Sequence, residues 1–347
     1  MKISANIFAG LSVVFLSVLF VGCSKTGPGD ERASANPSSE SQIPDPDALD
    51  FQFKWPVGKR YIYRTDMSYE GELGVAGQQI KQEMSQIQEY ALSIMAETPD
   101  GGCEIEFEFL TLKLDLEFGA PTGPFKMNFD SKASKIQPNR SLNPMLTGFQ
   151  DILGHKMKLF LSPENEVERI EGRDEIVAKL VSELPQQIAQ MLKSMYSAEM
   201  INRLVAPPGL PGRPVKPGDT WPVQFDESLG PIGVLMADSQ YQFQNQEPHE
   251  GRDCAVLVFS GTMRSRPAAE PGMIGGMVKI TNGESFGKTW FDPESGRFID
   301  TSVQQSMTIN IDPSDMPGGG VEVPAMAMDI TQQMSVKLIK EETLSEE

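Results

Sequence analysis

The feature that most constrains this chain is the alternation of apolar and polar side chains, sustained over stretches of ten residues and more. In "RYIYRTDMSY" (60–69) Tyr61, Tyr63, Thr65, Met67 and Tyr69 share one face against Arg60, Arg64, Asp66 and Ser68, with Ile62 the exception. A period of two sends successive side chains to opposite faces of an extended strand, and one polar face implies an antiparallel sheet wet on one side. The pattern recurs in Ile80, Met84, Tyr90, Leu92 and Ile94, and in Ile299, Val303, Met307, Ile309 and Ile311. It recurs again in Met326, Met328, Ile330, Met334, Val336 and Leu338. In "CEIEFEFLTLKLDLEF" (103–118) the apolar register runs Cys103, Ile105, Phe107, Phe109 and then shifts to Leu110, Leu112, Leu114, Leu116, Phe118. Such a slip predicts a β-bulge near Phe109 and Leu110, of the kind a curling sheet requires.

One plan is written twice. "WPVGKRYIY" (55–63) is matched by "VKPGDTWPV" (215–223), each with a turn glycine (Gly58, Gly218), a charged residue and then an aromatic (Tyr61, Trp221). "PDGGCEIEFEF" (99–109) is matched by "HEGRDCAVLVF" (249–259), and "MKLFLSPENEVERIEG" (157–172) by "GKTWFDPESGRFIDT" (287–301). Three correspondences in one order favour an internal duplication, although unrelated meanders also share Gly and Pro-Glu turns. Between the copies, residues 173–205 place Ile176, Val177, Leu180, Val181, Leu184, Ile188, Met191, Leu192 and Met195 mostly at helical spacing, with Pro185 breaking or kinking the helix. A shorter helix is predicted over 144–153, capped by Asn143. "APPGLPGRPVKPGD" (206–219) reads as the linker. The expected fold is α+β and mainly antiparallel β: two related, half-barrel-like curved units, 51–205 and 220–341, with a helical segment between them.

The amino terminus is of another kind. Met1-Lys2 precedes an apolar run from Ile7 to Val21, which ends at Gly22-Cys23 and is followed at once by polar residues. This is the layout of a secretory signal and is too short for a comfortable transmembrane helix. Phe20-Val21-Gly22-Cys23 resembles the lipobox of bacterial lipoproteins, with Phe20 where the family usually has Leu. The resemblance implies removal of residues 1–22, diacylation of the Cys23 thiol and acylation of the new amino terminus, and Ser24 implies an outer-membrane destination facing the periplasm. Residues 23–50 then read as lipidated Cys and a disordered tether rich in Pro, Ser, Asp and Glu.

The formal net charge of −18 argues against nucleic acid or an anionic lipid surface as partner of the folded body. Outside the cytoplasm Cys103 and Cys254 can pair as a disulfide, and two buried free thiols are the simpler reading. No metal or phosphate-loop motif and no Gly-x-Ser-x-Gly elbow occurs, and no cofactor is expected. His155 and His249 both fall in turns, and Glu104, Glu106 and Glu108 alternate along one strand face as a solvated face does. The chain is therefore expected not to be an enzyme. Nineteen methionines are the notable excess. On the inward registers Met67, Met84, Met307, Met328 and Met334 either fill an ordinary core or line an adaptable apolar cavity. The lipobox, the tether, "WPVGKRYIYR" and "DPESGRF" together resemble uncharacterised bacterial lipoproteins of the domain-of-unknown-function type. What this implies is a non-enzymatic binding or scaffolding module, its partner an envelope protein, with carriage of a lipid or other apolar ligand as the alternative.

Overall fold

The structure, a computed structural model, describes residues 48–75, 78–119, 125–133, 143–181, 193, 197–207, 209–228, 233–267, 278–312 and 326–344. The signal segment, Cys23, the tether up to residue 47 and Pro185 lie outside the described residues.

The alternating stretches are strands. In chain order they are β1 (Lys59–Val75), β2 (Gln78–Glu97), β3 (Cys103–Phe118), β4 (Phe125–Asp130), β5 (Lys156–Leu161) and β6 (Val167–Glu171). Then come β7 (Thr220–Ser228), β8 (Val234–His249), β9 (Arg252–Arg266), β10 (Val278–Asp292), β11 (Arg297–Ile311) and β12 (Met326–Thr343). All twelve belong to one sheet, in the order β6-β5-β3-β2-β1-β12-β11-β10-β9-β8-β7, with β4 paired to the far part of β3. Every pairing is antiparallel.

The strands expected in two related curved units are joined in one open sheet. β12 pairs on one side with β1, where Ser335 faces Asp66, and on the other with β11, where Ser335 faces Ser302. The two halves are thus stitched into a single open sheet. Alternation marks a strand and its inward face but does not name its lateral neighbour, so the bridging role of β12 was not readable from pattern. Within the sheet the stretches that match in sequence lie in two meanders, β6-β5-β3-β2-β1 and β11-β10-β9-β8-β7. At the start of each, a left-handed glycine turns the chain into the first strand: Gly58 (φ 81°) donates its N–H to the Ile94 carbonyl at 2.9 Å, and Gly218 (φ 95°) donates to the Phe243 carbonyl at 2.7 Å. Positive φ is what makes glycine the fitting residue at both positions.

The inward registers are those the sequence marks. Tyr61, Tyr63, Met67 and Tyr69 on β1, Ile299, Val303, Met307, Ile309 and Ile311 on β11, and Met328, Ile330 and Met334 on β12 are all buried. The slip in β3 is a bulge: Glu89 faces Thr111 while Tyr90 faces Phe109, leaving Leu110 without an opposite residue. Phe109 and Leu112 are buried on either side of it.

Among the described residues three helices accompany the sheet: α1 (Asn143–Ile152), α2 (Arg173–Val181) and α3 (Ala198–Val205). α1 coincides with the predicted short helix. α2 has Asp174 and Glu175 in its first turn and Lys179 in its last, matching the helix dipole at both ends. In the expected linker Val215 is buried and paired through a bridge to Leu49, so the last residues of the expected tether are tied to it.

Candidate functional site

Sheet curvature and α3 together enclose an interior. Asn202 of α3 accepts a hydrogen bond through Oδ1 from the Val167 N–H of edge strand β6 at 3.1 Å, while the Arg203 guanidinium lies 5.7 Å from the Phe225 ring of the opposite edge strand β7. The Tyr90 hydroxyl of β2 donates to the Leu204 carbonyl at 3.3 Å. One short helix therefore spans the gap between the first and last strands of the sheet, with its Ile201, Arg203 and Val205 all buried.

The end of this interior nearest the β10–β11 turn is closed by Phe51, Phe53 and Trp55, the strap preceding β1. Phe51 packs with ring centroids 5.4 Å from both Phe243 and Phe291, and Phe53 lies 5.5 Å from Phe298. The Trp55 indole N–H donates to the Asn165 side-chain oxygen at 2.5 Å. Lys54 holds the strap to the turn, its ammonium donating to the Pro293 and Glu294 carbonyls at 2.9 Å each. The turn itself is organised by buried Asp292, which accepts from the Glu294 and Ser295 N–H groups, the Ser295 hydroxyl and the Arg252 guanidinium. Burial alone would raise the Asp292 pKa, but the bonds from Ser295 and Arg252 outweigh it and hold the carboxyl below its usual value.

Between strap, α3 and sheet lies a cavity of ≈ 70 Å³. Its walls are aromatic and drawn from both halves: Tyr63 and Tyr90 stack at 5.5 Å on one side, Tyr241 and Phe259 at 4.8 Å on the other, with Phe53 and Phe298 between strap and turn. Seven of its lining residues carry polar side-chain groups: Arg203, Arg297, Thr289, Thr301 and the phenols of Tyr63, Tyr90 and Tyr241. Arg297 is 2% exposed. Its guanidinium carbon sits 3.4 Å over the Tyr61 ring and 4.6 Å from the Trp55 ring, and one terminal nitrogen donates to the Lys54 carbonyl at 2.7 Å. Its Nε has no hydrogen-bond partner, and it forms no salt bridge with any described carboxylate. Burial pushes the Tyr63 pKa up, a shift that the nearby Arg297 charge partly offsets. The Tyr90 phenol is raised further, again by burial and then by Tyr63.

Other residues singled out in the sequence fall elsewhere. Met334 lines the cavity, whereas Met67, Met84, Met307 and Met328 are packed into the apolar core along the same concave face. Cys103 and Cys254 are free, buried thiols on β3 and β9, two strands separated in the sheet by β2, β1, β12, β11 and β10. Burial pushes each thiol up to about 11. Glu104, Glu106 and Glu108 pair with Lys158 (2.7 Å) and Lys156 (2.8 Å) on the neighbouring strand β5 and with Arg60 (2.9 Å) on β1, one strand beyond β2. His155 is half-buried with Nε2 3.3 Å from Lys179 Nζ, and His249 stacks on Trp290 at 4.3 Å with Asp300 3.3 Å from its Nε2. Among the described residues no group of three or more His, Cys, Asp or Glu is placed to hold a metal ion.

Sequence reading missed both arginines, although a signal existed. The signal belongs to Arg297, which stands on the same parity as Ile299 and Val303; Arg203 is buried on α3 but lies two residues from both Ile201 and Val205, off the face those two share. A cation on an apolar register is the mark to look for.

A family model described as a family of unknown function, DUF6263, matches residues 100–297, more than half of the chain. The chain belongs to DUF6263. The DUF6263 match begins at the turn before β3 and ends on Arg297, so it contains both cavity arginines and leaves Tyr63 and Met334 outside. No curated protein matches the chain. Among solved structures it is similar to lipovitellin, from a study of lipid–protein interactions in that protein, at 9% identity and a TM-score of 0.43, over 85% of this chain and 26% of that one. The chain thus spans about a quarter of the lipovitellin chain. It is also similar to the COG4313 outer membrane channel from Pseudomonas putida F1, at 8% identity and a TM-score of 0.20 over 83% of this chain and 97% of that one. A third is a DUF1329 family protein from Desulfovibrio piger, at 8% identity and a TM-score of 0.11, with 80% and 86% covered.

Proposed function

We propose that this DUF6263 protein is a non-enzymatic binding module of the bacterial envelope, held at a membrane by lipid on Cys23, and that its ligand enters the aromatic cavity beneath α3. The observation that carries this reading is the cavity itself, a space on the concave side of the sheet walled by rings from both halves. Capture of a partner by strand addition is less favoured. Edge strand β6 is five residues long and its Val167 N–H is taken by α3, while edge strand β7 carries Pro222. Both are devices that discourage pairing at a sheet edge.

Volume decides the form of the site. At roughly 30 Å³ per water, ≈ 70 Å³ holds about two waters. The enclosed space therefore suits the end of a ligand rather than the whole of a lipid, and a longer body requires α3 to move. That helix is only eight residues long and is tied to β2 and β6 by the Tyr90 and Asn202 hydrogen bonds. The reading replaces a roomy Met-lined interior with a small aromatic one to which Met334 contributes.

The test is direct. Residues 24–347, expressed without the signal, are purified, and native mass spectrometry is combined with organic extraction to look for a stoichiometric small molecule. Titration with straight-chain amphiphiles follows, with tyrosine and tryptophan fluorescence as readout. Binding that is lost on filling the cavity by Thr301→Phe supports the reading. An empty protein that binds no amphiphile overturns it.

A further inference from the structure

Resting on the cavity reading above, we infer that the ligand is an amphiphilic anion whose carboxylate seats between Arg203 and Arg297. Arg297 supplies the main argument. A guanidinium 98% removed from solvent, with no carboxylate partner among the described residues and an unpartnered Nε, is an incomplete electrostatic arrangement on the wall of a cavity. Stacking on Tyr61 and Trp55 holds its plane but supplies no negative charge. Arg203, also buried, lines the same space from α3. Two cations at one small cavity are notable in a chain of net charge −18, whose surface would otherwise repel anions.

The remaining lining narrows the chemistry. A guanidinium fork receives a carboxylate through paired hydrogen bonds, and the Tyr63, Thr289 and Thr301 hydroxyls stand at the same cavity as further donors. Room for about two waters is the room a carboxylate occupies. The rest of the wall is aromatic and aliphatic, which favours an apolar body behind the charged group over a small, wholly polar ion. A fatty acid or a related long-chain carboxylate has this form.

The test compares ligands that share a body and differ in the head. Residues 24–347, which include every described residue, are titrated with decanoate, with decanol and with acetate at neutral pH, each below its aggregation limit. Decanoate is expected to bind at least tenfold more tightly than decanol, and acetate more weakly than decanoate. Arg297→Met and Arg203→Met are each expected to bring the decanoate-to-decanol ratio close to one. Equal binding of decanoate and decanol by the parent protein, or a ratio that survives both substitutions, overturns the inference while leaving the cavity reading intact. Failure of both amphiphiles to bind instead overturns the cavity reading. Should thermal melting show that Arg297→Met does not fold, the parent ratio and Arg203→Met decide the matter.

Discussion

Asp292→Asn tests whether the cavity's closed end is held by charge. Asp292 is 4% exposed, and its Oδ2 accepts from Arg252 at 2.9 Å and from the Ser295 hydroxyl at 2.6 Å, while Oδ1 accepts from the Glu294 and Ser295 N–H groups at 2.9 and 3.3 Å. An asparagine oxygen can still take the two turn amides, so the loss falls on the Oδ2 side. Hydrogen bonds to charged groups contribute about 1.5–3 kcal/mol against about 1 for neutral ones. Arg252 keeps Glu341 at 3.0 Å and is not stranded, so the cost should be about 2 kcal/mol rather than the ~3–5 of a fully abandoned buried charge. With a urea m-value of about 3 kcal/mol/M, the midpoint should fall by about 0.7 M at pH 7. The pH dependence follows from the depressed folded pKa. A carboxyl lower in the folded than in the unfolded state adds stability above its unfolded value, near 3.8 here, and that stability is lost as pH falls through the lower folded value. The gap between parent and variant should therefore be full at pH 6–7 and close in acid. Equal midpoints at pH 7, or a gap that persists at pH 2, would refute the argument that this carboxylate's charge organises the turn.

Other substitutions probe independent parts of the molecule. Gly209→Ala should lower stability by about 2 kcal/mol or more, because φ is +114° and an added Cβ would stand 2.6 Å from the Tyr241 ring that walls the cavity; an unchanged melting temperature would contradict this placement. Cys103 and Cys254 should alkylate slowly in the native protein and rapidly in urea. Since both folded thiols are raised from 9.0 to about 11, their contribution should weaken stability as pH rises through that interval; fast native alkylation would show the sites are open. Cys23→Ser should move the protein from the membrane to the soluble fraction, and continued membrane association would remove lipidation as the anchor.

Local features were legible where one physical cause dominates. Alternation marked the inward residues of β1, β11 and β12, because a strand with one wet face leaves its chemistry in every second position. The shift at Leu110 announced the bulge for the same reason, and Pro144 after Asn143 announced α1. Lateral pairing was not legible: nothing in "ITQQMSVKL" states that its strand will join β1 to β11, since that choice depends on which edges remain unpaired when the rest of the sheet has formed. The site was half legible. The apolar faces were found, but the cavity forms where strap, helix and both meanders meet, and that convergence has no sequence period. Arg297 was seen only as part of the "DPESGRF" hairpin, although its parity places it inside.

The continuous sheet also determines whose site the cavity is. Without β12, β1 and β11 would each present a long unpaired edge, 17 and 15 residues in length, an arrangement prone to association. β12, with 18 residues, satisfies both edges at once, and in doing so it sets the two inward faces around one interior. The lining then draws Tyr63 and Tyr90 from the first meander, Tyr241, Phe259, Thr289 and Arg297 from the second, Met334 from the bridge and Arg203 from the helix across the gap. Neither meander alone holds more than part of this set. The two meanders therefore do not form two equivalent sites; joined through β12 they give one asymmetric site, with the Arg297 end closed by a strap and turn and the Arg203 side covered by a short helix.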